Sequence, residues 1–276
     1  MNNLWIIDAF TPVAFRGNPA AVYLLGEFPD DKRLQLLAAR ANLSDTAFVV
    51  KTAPLEFSLR WFTPTTEIRL CGHATLAAAH VLTQVGQAKI GDTITFHTLS
   101  GALTAKIKKN GIQLDFPTLA GAPVKPDPML FAGLGVPIIA CEKNRDDLLV
   151  EVADFETLLS IKPIIKKLSK LNTRGVIVTT SKDVPANFDF ASRFFAPSLG
   201  IEEDPVTGSA HTFLAPYWAK KLGKTKFSAL QASRACGILE VELAGERTLI
   251  TGECATTLKG TINLSTQKNK NKEIFA

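Results

Sequence analysis

Two short segments of this chain carry the residue types that acid–base chemistry on a small anion requires. Gly72-His73-Ala74-Thr75 and Gly208-Ser209-Ala210-His211 each begin with glycine and lead into apolar residues at helical spacing. The first amides of a helix lack intrahelical acceptors and sit at the positive end of its dipole, so such turns attract anions. Glycine lets a ligand approach the backbone closely. If the two turns face each other, they grip one carboxylate from both sides.

Titratable groups stand beside these turns. Asp204 lies four residues ahead of Gly208, in Glu202-Glu203-Asp204-Pro205. An aspartate before proline is commonly a plain turn residue, and three adjacent acids also describe a solvated loop. Beside a bound anion, however, a carboxyl has its pKa raised, which suits proton transfer. His73 reads either as a polar helix-start side chain or as an acid or base next to the anion. Cys71 precedes Gly72, where a helix N-terminus would stabilise a thiolate, although a lone cysteine in apolar surroundings is more often buried and inert. Its counterpart in the second segment is Thr207, which cannot act as a matching base. Asp45, just before the apolar run Thr46-Ala-Phe-Val-Val-Lys, reads from its spacing alone as a cap or turn residue.

The two segments belong to an internal repeat. Arg60-Trp-Phe-Thr-Pro64 matches Arg193-Phe-Phe-Ala-Pro197 at an offset of 133. Cys71-Gly-His-Ala-Thr-Leu then matches Thr207-Gly-Ser-Ala-His-Thr at 136, and Gly101 and Leu103 match Gly237 and Leu239 at the same offset. The similar apolar strands Thr46-Ala-Phe-Val-Val-Lys and Gly175-Val-Ile-Val-Thr-Thr precede these matches, so four ordered correspondences argue for duplication. Each half reads as strand-rich around one prominent helix, Gly72 to Gly86 and Gly208 to Gly223, with Pro216 expected to kink the second or to start a fresh turn. Hairpins are expected at Lys109-Asn110-Gly111 and Ala244-Gly245-Glu246, and outer amphipathic helices at Asp31–Ala41 and Lys162–Lys170. The expected fold is α+β, two pseudo-symmetric domains, each a small barrel-like sheet around a central helix. A proline-rich segment near Leu119–Asp127 divides them into residues 1–118 and 119–276.

Composition narrows the function classes. With 276 residues, 46% hydrophobic and 21% charged, the chain is of globular type and long enough for two domains. No apolar run reaches the length of a membrane span. The start, MNNLWIIDAF, lacks a cationic region ahead of its apolar stretch, so a soluble protein of the cytoplasm, without membrane partners, is expected. Cys71, Cys141, Cys236 and Cys254 form no CxxC pair, which fits a reducing compartment and points to no metal site. The net charge of +5 is dispersed apart from Lys268, Lys270 and Lys272 near the C-terminus, so nucleic acid is not an expected partner. Neither a GxxxxGK[ST] nor a GxGxxG motif is present, and no cofactor is implied.

Taken together, Asp8-Ala-Phe, Phe15-Arg-Gly-Asn-Pro-Ala-Ala-Val22, Leu43-Ser-Asp-Thr-Ala-Phe48, Phe62-Thr-Pro-Thr-Thr-Glu67, Cys71-Gly-His-Ala-Thr75, Arg193-Phe-Phe-Ala-Pro197 and Glu203-Asp-Pro-Val-Thr-Gly-Ser-Ala-His211 resemble the PhzF-like family of phenazine-biosynthesis isomerases, a branch of the diaminopimelate-epimerase fold. The resemblance implies a cofactor-independent isomerase, working as a homodimer on a small carboxylic acid. By it, Asp45 takes the general acid/base role, with His73, Asp204 and Ser209 as polar substrate contacts and the Gly72 and Gly208 amides on its carboxylate. The family usually has Glu at position 45. Asp is shorter by somewhat over 1 Å, a misplacement that can cost about 100-fold in rate, so either the site is rebuilt around Asp45 or the substrate sits differently. Epimerases of this fold use two cysteines, and here the pair is Cys71 and Thr207. A dehydratase or epimerase with Cys71 as an alternative base, and a catalytically inactive ligand-binding relative, are the competing expectations.

Overall fold

The structure, a computed structural model, describes residues 2–262; the lysine-rich stretch at 268–272 lies outside them. The protein is a strand-rich α+β fold in which the repeat is visible element by element. In the first half, Asn18–Leu25 pairs in parallel with Asp45–Ala53, which pairs antiparallel with Glu56–Phe62. In the second, Asp147–Glu151 pairs in parallel with Gly175–Thr180, which pairs antiparallel with Phe190–Ala196. The hairpins Gly101–Lys108/Gly111–Pro117 and Gly237–Ala244/Arg247–Gly252 follow at equivalent places. Gly111–Pro117 and Arg247–Gly252 pair with each other and join the two sheets. Each half then sends a strand onward: Ala122–Pro123 joins Ala140–Lys143, and Cys254–Ile262 returns to flank Asn2–Ala9.

Each half winds around one helix. Gly72–Gln84 buries His73 through Ala79, Val81 and Leu82, so it is apolar almost all round, as an enclosed helix must be. Burying each of Leu76, Val81 and Leu82 contributes about 1.5–3 kcal/mol. The second helix departs from its expected start. Gly208–Ala210 forms a 3-10 turn and the α-helix runs His211–Leu222, ending on Gly223 in the left-handed region at φ +66°. Pro216 lies inside that helix without ending it. Proline leaves the carbonyl four residues back without its donor, and that carbonyl, Thr212 O, accepts instead from Leu119 N–H at 3.1 Å. The segment linking the halves is thereby tied to the second central helix.

The outer helix Asp31–Ala41 forms over the expected residues, with Asp30 capping Arg33 N–H and Asn42 closing it at φ +52°. The helix expected over Lys162–Lys170 does not form: only the turn Ile165–Leu168 is helical, preceded by Phe155–Ser160. Pro163 is the reason, because it disfavours helical backbone at Lys162. Ile161 and Leu168 are buried all the same, which accounts for the helix-like spacing.

Two ion pairs repeat with the fold. Arg60 forks onto Glu67 and Arg193 onto Glu203, each through Nε and Nη2, at 2.7–2.9 Å. Each fork pins the return from a strand ending in Phe62 or Ala196 towards the glycine turn that follows.

Candidate active site

A cleft of about 520 Å³ opens where the two glycine turns converge, lined by residues of both halves. Asp45, Cys71, Gly72, His73, Asp204, Gly208 and Ser209 all border it. The structure therefore brings every expected site residue to one place. Neither Gly72 nor Gly208 is required by packing or by φ: a Cβ at either would make only ordinary contacts, 3.5 Å from Phe116 and 3.4 Å from Phe10. What glycine leaves open at both positions is the approach to the backbone.

Asp45 begins the strand Asp45–Ala53, and Cys71 immediately precedes the first central helix. The thiol donates to Asp45, Sγ to Oδ2 at 3.3 Å, and lies 3.5 Å from His73 Nδ1. His73 Nε2 is 3.5 Å from Asp45 Oδ2 and 3.3 Å from Ser44 Oγ. Burial pushes the Cys71 thiol well above its ordinary range and the Asp45 charge pushes it further, outweighing the helix amide of Ala74. The thiolate that the helix N-terminus was expected to favour is thus opposed by desolvation, and Cys71 stands as a proton-bearing donor. Its sulfur, an Asp45 oxygen and a His73 nitrogen lie within 4.8 Å of one another, a donor set that a soft divalent cation could use.

Asp204 approaches from the other half. Its Oδ1 accepts from Asn18 Nδ2 at 2.8 Å and its Oδ2 from the Thr207 hydroxyl at 2.5 Å. Burial raises the Asp204 carboxyl above the usual carboxylate range. His73, Thr207 and Asn18 pull it back, while Asp45 adds to the rise. The acidic run is therefore not a solvated loop: Glu203 is forked to Arg193 and Asp204 faces the cleft.

Three residues that sequence reasoning gave no role complete the site. Asn18, fully buried, donates to Asp204 and to Val206 O at 2.9 Å and comes within 3.4 Å of His73 Nδ1. Gln231, also fully buried, accepts from Thr207 N–H and donates to Asp204 O. Asn18 was within a recognisable motif, Phe15-Arg-Gly-Asn-Pro, which could have drawn attention to it. Gln231 and Arg174, a cation at the cleft wall, carried no local signal. His211, by contrast, is structural: it is fully buried, its Nδ1 donates to Thr207 O, and burial lowers its pKa to about 4.

The repeat makes the site's asymmetry measurable. Arg60 stands opposite Phe48, and Arg193 opposite Val178. Counting three residues back along each strand reaches Asp45 in the first half and Gly175 in the second. This register corrects by one residue the sequence correspondence that set Thr46 against Gly175. The side-chain space at Gly175 is taken by the Phe194 ring, whose Cζ would lie 2.3 Å from a Cβ there. At the position of Asp45 the second half thus carries no acid and has no room for one.

Comparison with known proteins bears on the fold and the family. The family described as phenazine biosynthesis-like protein, PhzC-PhzF, matches residues 7–260. An uncharacterized isomerase of Halalkalibacterium halodurans is 44% identical over 264 residues, spanning 95% of this chain and 98% of its own. A crystal structure of a PhzF-family phenazine biosynthesis protein from Enterococcus faecalis superposes with a TM-score of 0.90 at 42% identity, covering 95% of this chain and 99% of that one. A hydroxyproline epimerase from Agrobacterium vitis shares the fold alone, with a TM-score of 0.61 at 13% identity over 96% and 93% of the two chains.

Proposed function

The chain belongs to the PhzC-PhzF phenazine biosynthesis-like family, whose similar members are named isomerases, and from that premise we propose that it is a cofactor-independent isomerase. It moves a proton within a small cyclic or unsaturated amino or hydroxy carboxylic acid. The observation that carries this reading is the pairing of Asp45, at the cleft, with Gly175 at the equivalent place in the other half. An acid at only one of these two equivalent places favours taking a proton from one carbon and returning it to another over delivery between two symmetry-related bases.

In this reading the Asp45 carboxylate accepts a proton from an acidic carbon of the substrate. The electron pair left behind moves through the adjacent double bond, and the Asp45 carboxyl, whose proton exchanges with solvent, delivers a proton at its far end. Nothing is consumed, so the step balances without a second reactant. His73, within reach of both Asp45 and Asn18, orients the carboxylate and the ligand. Asp204, raised by burial, is suited to holding a proton towards an acceptor on the substrate. The Gly72 and Gly208 amides and the Ser209 hydroxyl take the substrate carboxylate. The proton on Cys71 supports Asp45 over Cys71 as the base, because a thiol held well above its ordinary pKa stays protonated and leaves almost no thiolate to accept a proton.

The same reading treats 1–118 and 119–276 as halves of a duplicated fold working as a homodimer in the cytoplasm. Among the described residues no helix is long and apolar enough to cross a membrane. Proton NMR in D2O tests the reaction across dihydro-hydroxyanthranilate, cyclic dienoic amino acids, hydroxyprolines and diaminopimelate. The reading requires deuterium incorporation or a double-bond shift with at least one cyclic or unsaturated acid. Inversion of hydroxyproline or diaminopimelate alone contradicts it.

A further inference from the structure

Arg174 is the one Lys or Arg side chain among the described residues that lines the cleft. In the register above it occupies, in the second half, the place of Ser44 in the first, one residue before Gly175. Its Nε donates to Asp147 Oδ1 at 2.9 Å and its Nη2 to Oδ2, and Asp147 is only 1% exposed. The guanidinium lies against the Phe194 ring, 5.5 Å from its centroid. Its remaining nitrogen, Nη1, donates to Ser209 Oγ at 3.2 Å.

A partly buried ion pair is poor evidence of stabilisation, since an apolar pair of similar volume often does as well. What this one achieves is orientation. With one edge locked to Asp147 and one face on Phe194, the guanidinium keeps its Nη1 edge in the cleft. Ser209 Oγ accepts from Arg174, which leaves the hydroxyl's own proton to turn towards a ligand. Asp45, which borders the same cleft, repels an anion.

We propose that Arg174 and Ser209 anchor the ligand's carboxylate, so that the duplicated fold divides its labour: the first half moves the proton and the second half holds the anion. The ligand is a carboxylic acid whose carboxylate meets Arg174 and Ser209 and whose apolar body lies along Phe116, Leu70 and Leu199 at the cleft wall. The first half's share rests on the proton-transfer reading; the anchor itself is tested independently of turnover.

The probes are benzoate and its neutral isostere benzamide, titrated calorimetrically into the full chain. The wild type is expected to bind benzoate at least about tenfold more tightly, the scale of a charge-assisted hydrogen bond. Arg174→Gln combined with Asp147→Asn replaces the ion pair by an amide pair, leaving no uncompensated buried charge, and is expected to bring the two affinities within about twofold. Should that variant fail to fold by circular dichroism, Ser209→Ala gives the reading, with an expected loss of benzoate preference of about threefold or more. A preference that survives intact in the folded variant, or is absent from the wild type, overturns the anchor. If the preference follows Arg174 while no acid exchanges deuterium, the anchor stands and the isomerase reading fails. If deuterium exchange depends on Asp45 but the preference ignores Arg174, the anchor fails and the isomerase reading stands.

Discussion

Cys71 points its thiol at Asp45, with Sγ 3.3 Å from Oδ2 in the buried wall of the cleft. A hydrogen bond in this direction makes the carboxylate the acceptor and the cysteine a proton-bearing neighbour, and burial of the sulfur enforces it. The arrangement separates two chemistries that the sequence left open and leads to the first prediction.

Iodoacetamide at pH 7.5 should alkylate Cys71 at least about tenfold more slowly than it alkylates a free thiol, because the thiolate is the reactive form. Peptide mass spectrometry after a time course reads the site directly. Cys71→Ala should keep the catalysed exchange within about tenfold of wild type. Alkylation of Cys71 at the free-thiol rate, with matching loss of exchange, would contradict this.

Asn18 is a positioning residue that holds Asp204 and reaches His73. Asn18→Ala should lower kcat by about 10–100-fold with little change in KM, as expected when a reacting group drifts by about an ångström. A change confined to KM would instead make Asn18 a binding group.

The pair Arg193–Glu203 is partly buried, with side chains 11% and 23% exposed, and Arg193 also donates to Leu158 O and Ile161 O. Arg193→Met should destabilise the fold by about 2–3 kcal/mol, the range for removing one partner of a buried pair discounted for its solvent contact. Arg247 and Asp115 pair in the open, through Nε to Oδ1 at 2.8 Å and Nη2 to the Asp115 backbone carbonyl at 3.1 Å, and Arg247→Met should cost within about 1 kcal/mol. Urea denaturation of both variants measures the contrast, and equal losses would refute it.

His211 is buried in its neutral form, with a folded pKa of about 4 against an ordinary 6.5. Between those values the unfolded chain binds the proton first. The associated stability is therefore full above about pH 6.5 and is lost as pH falls towards 4, by about 3 kcal/mol over the window. Comparing wild type with His211→Gln at pH 7 and pH 4.5 isolates this effect from the raised carboxyls Asp147 and Asp204. Wild type should lose more stability on acidification than the variant; parallel losses would show that His211 is not the cause.

Much of the scaffold was legible because it is local. The two central helices, the outer helix Asp31–Ala41 and the hairpins announce themselves by apolar spacing, glycine and short turns. The Lys162–Lys170 helix failed because apolar spacing outweighed Pro163 in the reading, whereas backbone sterics decided the structure. The return of Cys254–Ile262 to Asn2–Ala9 joins opposite ends of the chain and leaves no local trace. Within the site, the glycine turns were readable from the repeat. The hydrogen bond from Asn18 to Asp204 spans 186 residues, and Arg174 owes its place to a buried aspartate that only the fold brings beside it.

In the proposed mechanism Asp45 carries the proton. Solvent deuterium incorporation into a cyclic or unsaturated carboxylic acid, followed by NMR for wild type, Asp45→Asn and Cys71→Ala, tests it most directly. Asp45→Asn should lower the exchange rate by at least about 1,000-fold, of the order that a positioned acid–base group supplies, while Cys71→Ala leaves the exchange standing. Exchange that persists in Asp45→Asn and disappears in Cys71→Ala would contradict it.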